Sequence, residues 1–131
     1  MFNLGQKMDK NKAINLNPVV LAFVGDAVYS LFVREKLTYY SDAKAGELNK
    51  LAVAEVRAGA QAQFLSDIME LLNEEELGVF RRARNAKKTT RAKSASISEY
   101  NASTGFEAVL GFLYLIGETD RLNFLLNKGQ V

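Results

Sequence analysis

The sequence predicts an all-α fold in a single domain, and three observations carry that reading. Its 131 residues, 48% of them hydrophobic, suit one compact core, since domains commonly run to about 100 to 150 residues. Apolar residues recur at three- and four-residue spacing through most of the chain, which is the helical period. Helix start signals punctuate that pattern, whereas no alternating run bounded by a tight turn marks a β-hairpin. The domain is assigned residues 1–131, with 1–16 a polar N-terminal segment preceding the first expected helix.

Pro18 is the only proline and follows Asn17. Asparagine at the N-cap with proline at the first helical position is a strong start signal, so a helix is expected from Pro18 to Lys36. Val19, Val20, Leu21, Phe23, Val24, Val28, Leu31, Phe32 and Val33 cover most of its circumference, which predicts a central helix buried on several sides. A second helix is expected after a cap at Ser41 or Asp42, carrying Leu48 and Leu51. A third is expected from Val53 to Leu72, with a bend near Gly59.

Asn73 followed by Glu74, Glu75 and Glu76 is an N-cap with acids in the first turn, where the helix dipole favours them. That fourth helix should end in the arginines near Arg84. Residues 85–96 are basic and rich in Ser, Thr and Ala, as expected of an exposed loop. A long helix over Ser98 to Ile116 and a short one over Thr119 to Asn127 complete the chain. No internal repeat or low-complexity linker interrupts it.

Composition restricts the chemistry. There is no cysteine and no histidine, so disulfides, thiolate ligands, a Ser-His-Asp triad and histidine-ligated zinc are excluded. Hydrolysis would have to use carboxylates, lysine or metal-activated water. The amino terminus lacks the apolar stretch of a secretory signal and no apolar run reaches the roughly 20 residues needed to span a bilayer, so a soluble, cytoplasmic protein with no membrane partner is expected. Net charge is only +2. Yet Arg81, Arg82, Arg84, Lys87, Lys88, Arg91 and Lys93 fall within 13 residues that contain no acid, leaving ten basic residues against 15 acids elsewhere. Charge segregated in this way offers a polyanion one segment to bind.

Asp26 in AFVGDAV and Glu107 in GFEAVLGF are each the lone charge in an apolar stretch. A carboxylate in such surroundings requires a partner, and neither has a lysine or arginine one helical turn away. The partner is either a basic side chain or backbone amide brought in by the fold, or a metal ion. Two carboxylates with water would suit magnesium, which retains much of its hydration shell. Gly25 and Gly111 sit inside predicted helices, where glycine costs about 1 kcal/mol relative to alanine. Close helix packing beside the two acids would offset that cost. Arg57, Gln61 and Gln63 could face the same region, but spacing alone does not place them in a site.

NPVVLAFVGDAVYSLFVR, from Asn17 to Arg34, resembles the signature helix of the ribonuclease III family. TGFEAVLGFLYL is similar to that family's second acidic motif, and the two occur in the family's order. RRARNAKKTT resembles the basic motif of the family's short bacterial branch, Mini-ribonuclease III, which consists of the catalytic domain alone. The resemblance spans Asn17 to Leu126 and implies a ribonuclease III endonuclease-domain fold with no double-stranded-RNA-binding domain.

The resemblance further implies an endoribonuclease that hydrolyses double-stranded RNA to 5′-phosphate and 3′-hydroxyl products, with Asp26 and Glu107 as catalytic residues and metal ligands. Mg2+ is the implied cofactor and Mn2+ a possible substitute. Arg81, Arg82, Arg84, Asn85, Lys87 and Lys88 are the expected RNA contacts. Phe23 matches the aromatic that enters a pocket of the partner subunit, implying a homodimer. Maturation of large-subunit ribosomal RNA precursors is the implied role, with association with a ribosomal protein or pre-ribosome. One departure matters: the longer ribonucleases III carry further acids where this chain has Val19, Ala22 and Thr104. Loss of those acids is what a non-catalytic duplex-RNA-binding or ribosome-associated module would show, and such a module is the alternative.

Overall fold

The computed structural model describes residues 6–88 and 96–130. Among them there are seven α-helices, one 3-10 turn and no strand: α1 (Lys10–Ile14), α2 (Pro18–Tyr40), α3 (Ala45–Val56), α4 (Ala58–Ile68), the 3-10 turn (Met69–Leu71), α5 (Glu74–Asn85), α6 (Ile97–Leu115) and α7 (Thr119–Leu126). No helix among them is long and apolar enough to cross a membrane.

The caps read at Asn17 and Asn73 are present, but the one expected at Ser41 or Asp42 is not: α2 runs on to Tyr40 and α3 starts only at Ala45, behind Lys44, which makes no side-chain cap bond. The Asn17 side chain accepts from the Val19 amide at 2.8 Å ahead of Pro18. Asn73 and Glu76 form a reciprocal capping box at the start of α5, both bonds 2.9 Å. Ser96 and Glu99 form another at the start of α6, two residues before the expected Ser98. Each box satisfies amides that the first helical turn leaves unpaired. Gly117, at φ +75, stops α6 in the left-handed conformation that glycine adopts without penalty, and the Glu118 amide closes the turn on the Leu113 carbonyl.

Three further expectations are corrected. First, α1 lies inside the polar N-terminal segment, capped by Asp9 and seated by the fully buried Ala13. Second, the expected second and third helices divide elsewhere. Helix α3 continues to Val56, Arg57 alone is extended (ψ 154), and Gly59 lies within the first turn of α4. Third, the central helix is α6, which packs against α2, α4 and α5 and buries an unbroken run from Ser103 to Phe106 and another from Ala108 to Leu113. Helix α2 buries one side only, through Leu21, Ala22, Gly25, Tyr29 and Val33, while Val20, Phe23 and Leu31 are exposed. The apolar outer stripe made its buried width look greater than it is.

Phe64, Phe106 and Tyr29 meet edge-on or tilted at 5.1 to 5.5 Å between centroids where α2, α4 and α6 converge. A polar staple joins the opposite end. Arg121 on α7 binds both oxygens of the fully buried Glu76 on α5, at 2.8 and 2.7 Å, and the Leu71 carbonyl. Glu76 thereby serves the α5 cap and the α5–α7 contact together.

Candidate metal and nucleic-acid site

The two glycines make the site. A Cβ on Gly25 would fall within the Glu107 carbonyl oxygen and 2.9 Å from the Gly111 amide nitrogen; a Cβ on Gly111 would fall within the Leu21 carbonyl oxygen and 2.9 Å from the Gly25 nitrogen. Helices α2 and α6 therefore cross backbone to backbone at this point. Asp26 follows Gly25, and Glu107 lies one helical turn before Gly111, so the crossing that admits only glycine places the two carboxylates side by side.

Their surroundings differ. Asp26 is exposed, contrary to its expected burial within an apolar helix, so water solvates much of its charge. Glu107 is half-buried and meets the expectation. Burial, reinforced by the neighbouring Asp26 carboxylate, pushes Glu107 from its ordinary 4.5 up to about 9, with the Gln61 amide acting in the opposite direction. Among the described residues, no lysine or arginine forms an ion pair with either acid. No third acid joins them either. A divalent cation fits this pair because it would neutralise charge that no basic side chain among the described residues pairs with, with water and phosphate completing its oxygen shell.

The carboxylates open into a cleft of about 610 Å3 lined by Asn17, Val19, Ala22, Phe23, Asp26, Lys87, Lys88, Tyr100, Thr104 and Glu107. Val19, Ala22 and Thr104, which the resemblance marks as positions of missing acids, all line it. The Thr104 hydroxyl donates back to the Tyr100 carbonyl at 2.9 Å, as helix-interior threonines commonly do.

The basic residues occupy distinct positions. Lys87 is exposed at the cleft. Lys88 also lines it, but its ammonium donates to the Ala83, Arg84 and Ala86 carbonyls at 2.8, 3.0 and 2.7 Å. Those carbonyls lie in and just past the last turn of α5, where intrahelical partners run out, although the Ala83 carbonyl also accepts the Ala86 amide at 3.3 Å; Lys88 thus acts as a C-terminal cap, and its partial burial lowers its pKa. Arg82 ties α5 to the N-terminal segment through the Ile14 carbonyl at 2.6 Å. Arg84 lies over the Phe80 ring at 5.3 Å and donates to the Asn85 side chain at 3.1 Å. Arg81 is exposed and, like Lys87, makes no side-chain hydrogen bond or ion pair with another described residue. Arg91 and Lys93 lie outside the described residues. Phe23 stands 79% exposed at the cleft edge, which sets it apart from ordinary core.

Spacing alone did not place Gln61 here, yet it reaches the site: its amide donates to Glu107 Oε2 at 3.2 Å. The available signal was its register. Gln61 stands four and seven residues before Leu65 and Ile68, on the buried face of α4, where an uncharged polar residue requires an internal partner. Arg57 and Gln63 do not line the cleft.

A family model described as "Ribonuclease III domain" matches residues 19–118. A curated Mini-ribonuclease 3 of Clostridium tetani is 44% identical over 126 residues, covering 95% of this chain and 83% of its own. One of Brevibacillus brevis is 47% identical over 118 residues, covering 89% and 88%. A crystal structure of a Fusobacterium nucleatum protein superposes with a TM-score of 0.77 at 30% identity, covering 89% of this chain and 96% of that one.

Proposed function

The chain belongs to the ribonuclease III family and is an endoribonuclease; on that premise we propose that it is a homodimeric, divalent-metal-dependent enzyme that cleaves double-stranded RNA. The observation that carries the metal is the convergence of Asp26 and Glu107 at a cleft where, among the described residues, no lysine or arginine pairs with either acid. When bound there, Mg2+ or Mn2+ supplies Lewis acidity toward phosphate oxygens and acidifies water for attack.

The protein's own residues do the rest. Asp26 and Glu107 hold the cation, and the Gly25–Gly111 crossing sets the distance between them. Lys87 offers positive charge to a phosphate entering the cleft. Hydrolysis then joins a water oxygen to phosphorus and breaks the bond to the 3′-oxygen, which leaves with a proton as a 3′-hydroxyl and gives a 5′-phosphate. The 2′-hydroxyls and phosphates of A-form RNA present shape more than sequence, and Arg81, Arg84 and Lys87 suit that kind of contact. The exposed Val20, Phe23 and Leu31 on α2 supply the apolar surface for a second copy, and two such clefts would address the two strands. Trimming of large-subunit ribosomal RNA precursors in the cytoplasm, alongside pre-ribosomal proteins, is the role proposed for this activity.

Incubation of the protein with long duplex RNA, with and without Mg2+, followed on a denaturing gel, tests the reading. Cleavage only with the metal is expected; binding without cleavage in both Mg2+ and Mn2+ would contradict it.

A further inference from the structure

Gln61 is 1% exposed, and its side-chain amide is engaged at both ends. Nε2 donates to the Val56 carbonyl at 2.8 Å and to Glu107 Oε2 at 3.2 Å, while Oε1 accepts from the Ser103 hydroxyl at 2.8 Å. These partners define which way the amide faces. A reversed amide would set its oxygen against the Val56 carbonyl, which can only accept, so the NH2 group faces Val56 and, beside it, Glu107.

The fold explains why this glutamine is available. Ser103 and Glu107 lie one helical turn apart on α6 and share a face. Val56 ends α3, where carbonyls lose their helical partners, and the extended Arg57 turns the chain so that α4 presents Gln61 to both. One buried side chain thus bridges the α3–α4 elbow and the acidic turn of α6.

We propose that Gln61 is a positioning residue that fixes the orientation of the Glu107 carboxylate toward the cation. This rests on the metal-dependent reading of the site. With Val19, Ala22 and Thr104 in place of further acids, two carboxylates carry the protein's share of the ligation, and the alignment of each counts for more. Gln61 holds one Glu107 oxygen through a hydrogen bond and does not touch substrate or metal itself.

The test compares the full-length wild type with Gln61→Met, Glu107→Gln and the double variant. Binding of Mn2+ is followed by electron paramagnetic resonance, and duplex-RNA cleavage is titrated with Mg2+. Gln61→Met keeps the side-chain length and removes the donor. It is expected to raise the half-saturating cation concentration by about 10- to 100-fold, the usual cost of losing a partner that orients a ligand, with the KM for RNA unchanged. In the Glu107→Gln background the same substitution should add no shift in Mn2+ binding, because its path to the cation has been removed.

Unchanged cation dependence in Gln61→Met, or an equal shift in both backgrounds, would overturn the inference while leaving the metal reading intact. A wild type that neither binds Mn2+ nor cleaves in Mg2+ would overturn both. If Gln61→Met does not melt cooperatively, Ser103→Ala decides: releasing the amide should raise the half-saturating concentration by a smaller factor, and no change would overturn the proposal.

Discussion

Gly25 lies so close to the carbonyl oxygen of Glu107 that no side chain fits between them. This contact sets the distance between the two acids, because Asp26 is covalently next to the first residue and Glu107 is the second. Gly25→Ala would gain about 1 kcal/mol of helix propensity, but the obstruction is backbone rather than a flexible side chain, so the helices must separate. A net destabilisation of about 1 to 3 kcal/mol is expected, read as a lower urea midpoint. Cleavage should fall further than the loss of folded protein explains.

The Glu76–Arg121 pair should dominate the electrostatic contribution to stability. Arg121→Ala would leave a buried carboxylate without its charge partner, at a cost of about 3 to 5 kcal/mol, measurable by urea denaturation. Lys10→Ala, which breaks the exposed ion pair to Glu75, should produce no resolvable change.

Glu107 makes stability depend on pH. Its folded pKa, about 9, lies above its ordinary 4.5, so the native state retains a proton that the unfolded chain releases. The resulting stabilisation is fully present below about 4.5 and is lost progressively as pH rises to about 9. In chelator-containing buffer the urea midpoint should decline across this window. Glu107→Gln should flatten the decline, and a divalent cation that favours the ionised pair should oppose it.

The basic residues should separate into grips and braces. Arg81→Ala and Lys87→Ala should each weaken duplex RNA binding across sequences and reduce the log–log salt slope by about one unit, with little change in melting temperature. Lys88→Ala and Arg82→Ala should lower the melting temperature as well, since each loses bonds to backbone carbonyls. Filter binding over a salt series, paired with thermal melts, distinguishes the two groups.

The elements whose ends are chemically marked were legible in the sequence. Asn17-Pro18, the Asn73 box and the glycine pair announce local geometry through local chemistry. The interruption was legible only as a bend near Gly59; its place at Arg57 was not, because nothing in AEVRAGA singles out that residue and tertiary packing imposes the elbow there. Helix α2 was misjudged because an apolar stripe reads the same whether it faces a core or an outer surface. At the site, Asp26 and Glu107 could be identified by their apolar surroundings, although only Glu107 proved partly buried. Gln61 was missed because its partners come from α3 and α6, and its register on α4 was its only mark. For Lys88, position in a basic run marks a candidate phosphate contact but not its bonds to the carbonyls at the end of α5, which only the fold brings beneath it.

Asp26→Asn bears most directly on the central claim, because it removes one charge at an exposed position and leaves the packed crossing untouched. Time courses of long-duplex RNA cleavage in saturating Mg2+ should show loss of cleavage in this variant, while its melting temperature and duplex binding match the wild type. Undiminished turnover by Asp26→Asn would contradict the assignment of the Asp26–Glu107 pair as the metal-holding catalytic centre.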